Sequence, residues 1–234
     1  SVTMRTPGND FELALGFLFT EGIVQDRSQV HTIRYCVDLG RQEATDNIVR
    51  VELKPEVVVN LSGLERNFYM TSSCGVCGKA SIEAIHTTGC PVLPATTPPI
   101  DPALIHTLPG VLRDVQRVFA YTGGLHAAGL FDHAGQLLLL REDVGRHNAL
   151  DKLIGAALNE STLHDRHAGH IVLVSGRLSF ELVQKTLMAG IPVSEPAQKL
   201  PPTSYDPAGI TRIDRKTPRH SHRTPSPGPR CPTA

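Results

Sequence analysis

The sequence predicts a mixed α/β sandwich with a smaller N-terminal α+β part and a disordered C-terminal tail. Three patterns carry this expectation. Between residues 127 and 193, apolar runs of strand length alternate with helical periodicities. The order strand, loop, helix, strand over 170–193 implies parallel pairing in that half. The last 41 residues hold 9 of the 18 prolines and 7 basic against 3 acidic side chains, with hardly any apolar periodicity.

The elements follow in order. The chain enters at Val2 and Met4 as though partway along a strand, and Pro7, Gly8 and Asn9 then punctuate it. Asp10 is placed to cap a helix over 10–21, with Leu13, Phe17 and Glu21 on one face and Gly22 as its stop. Residues 30–37 and 47–53 carry Ile33, Tyr35, Val49, Val51 and Leu53 around a polar turn and predict a β-hairpin. A third strand is expected near 67–70, then a Gly- and Cys-bearing loop entering a helix over 79–85.

A proline-rich connector, 91–102, is the expected boundary between an N-terminal part (1–90) and an α/β part (91–193). Asp101-Pro102 should cap and start one short helix, and Pro109 a second reaching about Phe119. Residues 127–131 and 137–140 predict a hairpin with one strand buried on both faces. Helices over 146–158 and 180–189 and strands at 170–174 and 190–193 complete the pattern.

Lys plus Arg balance Asp plus Glu at 23 each, so no overall basic field would gather nucleic acid or an anionic membrane. No stretch approaches the roughly 20 apolar residues of a membrane helix, and residues 1–10 lack signal-peptide order. Five cysteines, an odd and low number, argue against a secreted disulfide framework. The expectation is a cytoplasmic protein with free thiols.

Among those thiols, Cys74 and Cys77 in Ser73-Cys74-Gly75-Val76-Cys77-Gly78 stand where a loop enters a helix. A helix N-terminus and the neighbouring Lys79 favour the thiolate, and the glycines let a ligand approach the backbone. A thiolate accepts and passes on sulfane sulfur, and a second thiol separated from it by two residues can resolve the persulfide. Two alternatives stay open on spacing alone. One is a dithiol redox pair, and the other a zinc-stabilised binding module using Cys74, Cys77, His86 and Cys90.

Three polar loops beside apolar strands form a second constellation. Gly123, Gly124 and His126 lie in the first; Asp143, Gly145, Arg146, His147, Asn148 and, further into the helix, Lys152 in the second; Ser175, Gly176 and Arg177 in the third. Such loops hold phosphorylated or nucleotide-like ligands at the ends of α/β sheets. Arg146 and Lys152 are candidates for phosphates, and Asp151 is placed to orient His147 four residues earlier. The competing interpretation is an ordinary network of caps and ion pairs.

Taken together, Met4-Arg5-Thr6-Pro7-Gly8, the helix at 15–22, Ser72-Ser73-Cys74-Gly75-Val76-Cys77-Gly78-Lys79, Thr122-Gly123-Gly124-Leu125-His126, the segment 141–152 and Val174-Ser175-Gly176-Arg177 resemble the formate dehydrogenase accessory sulfurtransferases, the FdhD family. The likeness covers about residues 1–193. It implies transfer of sulfur from a cysteine desulfurase to molybdenum bis(molybdopterin guanine dinucleotide), the cofactor of the formate dehydrogenase catalytic subunit, with Cys74 the persulfide carrier and Cys77 its partner. It also implies a homodimer with a cytidine deaminase-like fold. No His-x-Glu zinc motif precedes the cysteines, so deaminase chemistry does not carry over and no resident metal is expected. The tail, 194–234, departs from the family pattern and is expected to reflect an altered reading frame or truncation.

Overall fold

The computed structural model describes residues 1–36, 45–59, 93, 100–164 and 169–197. Helix α1 (Asp10–Thr20) is followed by an antiparallel hairpin, β1 (Val30–Tyr35) and β2 (Val49–Leu53). Three short helices come next, α2 (Pro102–Ile105), α3 (Leu108–Val115) and α4 (Arg117–Thr122). Strands β3 (His126–Phe131) and β4 (Leu137–Asp143), helix α5 (Arg146–Asn159), β5 (Ile171–Val174), α6 (Phe180–Met188) and β6 (Val193–Pro196) complete it. The expected strand at 67–70, the cysteine loop and the helix at 79–85 lie outside the described residues. So does most of the 91–102 connector.

Four strands form one mixed sheet in the order β4-β3-β5-β6. β3 pairs antiparallel with both β4 and β5, and β5 pairs parallel with β6. Alternation divides the sheet's apolar side chains between two faces. Ala128, Leu130, Val172 and Val174 face a core shared with Leu150, Leu153 and Ile154 of α5, Leu15 and Phe19 of α1, and Leu182 of α6. Ala127, Phe131, Ile171, Leu173 and Val193 face the other way, onto Leu108 and Leu112 of α3. The result is a three-layer sandwich, with the hairpin contributing Val30 to the first core.

Helix α5 is central because most of its residues are buried, and α1 lies directly across it. Gly16 and Gly155 make the crossing possible: a Cβ on Gly16 would overlap the Asp151 carbonyl oxygen, and one on Gly155 the Glu12 carbonyl oxygen. At the side of this contact Arg141 of β4 grips Glu12 through both carboxylate oxygens, at 2.5 and 2.8 Å.

Local chemistry moved three boundaries. Asn9, in the left-handed region at φ 57°, occupies the position before α1, while Asp10 is the first helical residue, buried and paired with Arg5 at 2.7 Å. The helix expected from Pro109 to about Phe119 breaks at Gln116 into α3 and α4. There the Glu142 carboxylate accepts hydrogen bonds from the Val118 and Phe119 amides. Residues 194–196, expected in the tail, extend the sheet as β6, and Ala197 packs on the second core. Residues 198–234 lie outside the described set.

Candidate functional site

Three loops meet at the end of the sheet where β4 and β5 finish and β3 begins. Gly123, at φ 65°, terminates α4 and turns the chain through Gly124 and Leu125 into His126. His126 stands opposite Asp143 in the β3-β4 register. Ser175 follows β5 and locks to β3: its amide donates to the Ala127 carbonyl at 2.8 Å, and its Oγ accepts from the Ala127 amide at 2.8 Å. Gly176 then lies against the His126 ring, where a Cβ would fall 3.3 Å from Nδ1 and 3.7 Å from Cδ of Arg146. The sequence-predicted His126, Arg146, Ser175 and Gly176 are therefore neighbours, with Arg177 exposed beside them.

Burial, then the Arg146 charge, lowers the pKa of His126, so the imidazole is held neutral. Beside it, on the α3 side of the sheet, opens a cleft of about 720 Å³. Its walls include Leu112, Phe119 and Leu125, with Arg113, Gln116 and His126 supplying polar groups. An apolar slot with a few polar groups fits a flat heterocycle better than a bare ion.

The second loop divides its labour. Arg146 faces the His126 and Gly176 side, whereas Asp143, Asn148 and Lys152 turn inward. Asp143 is wholly buried and accepts from the Gly145 amide at 2.9 Å, Asn148 Nδ2 at 3.1 Å and the Thr6 amide at 3.0 Å. Lys152 Nζ, only 2.7 Å from that carboxylate, also donates to the Thr6 carbonyl at 2.8 Å. Asn148 donates to the Met4 carbonyl at 2.7 Å and accepts from Thr3 Oγ1 at 3.2 Å. The expectation that Lys152 faces phosphates is thereby corrected: its ammonium is committed to Asp143 and Thr6 in a buried network that fastens the N-terminal strap, residues 3–6.

Asp151 is corrected likewise. Instead of orienting His147, it forms a buried ion pair with Lys185 of α6 at 3.0 and 3.1 Å and accepts from Thr20 Oγ1 at 2.9 Å. Burial alone would lower the Lys185 pKa, but the carboxylates of Asp151 and Glu21 hold it above its ordinary value. His147 has different company. Its Nε2 lies 3.4 Å from Ser179 Oγ and 3.9 Å from a Glu181 oxygen. Burial, with Arg146 and Lys185 adding to it, pulls its pKa down to about 4, so at neutral pH this contact is not an ion pair.

Sequence reasoning missed Glu181, Ser179, Arg113 and Gln116. An acid in the first turn of a helix reads as ordinary dipole compensation, so nothing marked Glu181 before the packing did. The cysteine pair Cys74 and Cys77, and His86 and Cys90 of the zinc alternative, lie outside the described residues. Among the described residues no helix is long and apolar enough to cross a membrane.

Comparison with known proteins places the chain in a family. A curated "Sulfur carrier protein FdhD" of Mycolicibacterium paratuberculosis is 54% identical over 204 residues, covering 82% of this chain and 71% of that protein. One of the same name from Streptomyces avermitilis is 51% identical over 195 residues, covering 82% and 68%. A third, from Mycobacterium tuberculosis, is 46% identical over 229 residues, covering 91% and 79%. In three dimensions the chain resembles a crystal structure described as a formate dehydrogenase accessory protein from Desulfotalea psychrophila, with TM-score 0.59 and 23% identity over 83% of this chain and 67% of that one. That likeness supports the mixed α/β fold. Residues 1–195 match the FdhD/NarQ family, a span that takes in the strap, the cysteine pair and all three loops, and the chain therefore belongs to that family.

Proposed function

We propose that this chain is a sulfur carrier serving the maturation of formate dehydrogenase. The observation that carries this is the unbroken family match over residues 1–195, with relatives named sulfur carrier protein FdhD at up to 54% identity. In this reading it works as a sulfurtransferase. Cys74 accepts sulfane sulfur from a cysteine desulfurase, and Cys77 assists by attacking the Cys74 persulfide, forming an S–S bond and releasing the terminal sulfur as sulfide.

The substrate receiving the sulfur is the molybdenum bis(molybdopterin guanine dinucleotide) destined for the formate dehydrogenase catalytic subunit. Gly123, Gly124, His126, Gly145, Arg146, His147, Ser175, Gly176 and Arg177 are its proposed binding groups. Asp143, Asn148 and Lys152 support them from behind by holding α5 and the strap. The meeting of Arg146, His126 and Gly176 beside an apolar cleft supports this placement, since it sets a cation and a closely approachable backbone next to a space large enough for a nucleotide-like ligand.

The same reading includes a cytoplasmic homodimer and a cytidine deaminase-like version of the sandwich, for which the mixed sheet between helical layers is the support. The zinc-module alternative is not favoured, because the relatives are named for sulfur carriage.

The test incubates the protein with a cysteine desulfurase and ³⁵S-cysteine and locates the label by peptide mapping. The label is expected on the peptide containing Cys74. Equal labelling of a Cys74→Ala variant would refute the proposal.

A further inference from the structure

Among the described residues, Glu181 is an acidic side chain near the ligand loops with both carboxylate oxygens buried and unpartnered. It is only 7% exposed, in the first turn of α6, and neither carboxylate oxygen has a hydrogen-bond partner among the described residues. Buried acceptors are nearly always satisfied, because stripping water from one without replacement costs free energy. Lys185, one turn further along α6, does not relieve it, since its ammonium is directed at Thr20, Glu21 and Asp151. Neutral His147 approaches to 3.9 Å without engaging it.

The surroundings restrict what the missing partner can be. A cation would sit at the N-terminus of α6, which no side chain caps, and beside His147, which already feels the Arg146 and Lys185 charges. A phosphate would meet the carboxylate itself. What remains is a neutral group with hydrogen-bond donors, and two free oxygens on one carboxylate match two adjacent N–H groups on one molecular edge. His147, whose side chain is 32% exposed and touches Ser179, stands 3.9 Å from the shielded carboxylate, so a ligand reaches it by displacing that ring.

We propose that Glu181 is a specificity-determining residue that binds the 2-amino-4-oxopyrimidine edge of the substrate, receiving hydrogen bonds from its ring imino and exocyclic amino groups. This rests on the sulfur-carrier reading, whose substrate presents that edge in both guanine and pterin. It also orients the ligand, with the heterocycle directed to Glu181 and the anionic groups to Arg146 and Arg177.

The experiment measures binding to the full chain of two matched pairs: GDP against IDP, and pterin-6-carboxylate against lumazine-6-carboxylate. The second member of each lacks the exocyclic amino group. The wild type should prefer the amino-bearing member of one pair by about tenfold or more, as expected for a buried hydrogen bond to a charged group. The pair that shows the preference tells guanine from pterin. Glu181→Gln and Glu181→Met should reduce the preference to within about twofold while unfolding at or above the wild-type temperature, since an unpartnered buried carboxyl group has been removed.

If the wild type binds both members of each pair equally, or a folded variant discriminates as the wild type does, the assignment of Glu181 is overturned and sulfur carriage stands untouched. If no probe binds the wild type, the assignment falls together with the proposed cofactor site. The labelling of Cys74 then decides separately whether the chain carries sulfur.

Discussion

Gly16 of α1 and Gly155 of α5 meet face to face, each with the other helix's backbone where a side chain would be. Because the obstruction is main chain, neither position can accept a methyl group by rotating a neighbour. Gly16→Ala and Gly155→Ala should each destabilise the protein beyond the about 1–3 kcal/mol of ordinary overpacking. Urea unfolding measures this, and a loss under about 0.5 kcal/mol, the usual surface range, would show that the helices do not cross so closely.

The Asp143–Lys152 pair makes a different prediction, because it joins the strap to α5. Lys152→Met leaves a buried carboxylate without its cation and should cost about 3–5 kcal/mol. The strap should also loosen selectively. Limited proteolysis of the variant is expected to cut at Arg5 well before any site in the sheet, and an unchanged cleavage pattern would count against the network.

His147 sets a pH dependence. Its folded-state pKa, about 4, lies below its unfolded value of roughly 6.5, so the unfolded chain takes up this proton first. The contribution to stability is present above the unfolded value and lost as pH falls from there toward 4; His126 is shifted in the same direction. A His147→Gln variant should therefore show a shallower fall in melting temperature between pH 7 and 4.5. Parallel profiles for variant and wild type would contradict the burial of this ring.

Gly176 separates ligand binding from folding. A methyl group there would press on the His126 ring at 3.3 Å, a contact the ring can relieve by a small shift. Gly176→Ala should change stability by less than about 1 kcal/mol. Affinity for GDP, measured by calorimetry, should fall about tenfold, because the close backbone approach is lost. Unaltered affinity would remove Gly176 from the proposed binding groups.

Much of the fold was legible because periodicity survives in both cores. The all-apolar Ile171–Val174 run and the i, i+3, i+4 pattern at Leu150, Leu153 and Ile154 announce a buried strand and its covering helix. The break at Gln116 was not legible, since it depends on Glu142 arriving from a strand more than twenty residues later. Within the candidate site, glycines and polar loops singled out three segments that the fold brings together at one end of the sheet. They could not show which polar groups face outward: Arg146 and Lys152 look alike in sequence, and only packing sends one toward His126 and the other to Asp143.

The α1-α5 crossing also governs when the protein can form. Its contacts join residues about 130 positions apart, as in the Thr20–Asp151 hydrogen bond, so loop-closure entropy must be met before the first helix gains its partner. On the ribosome, the opening segment has to wait until α5 has emerged. Until then Leu15 and Phe19 lack the α5 side chains that bury them in the finished fold.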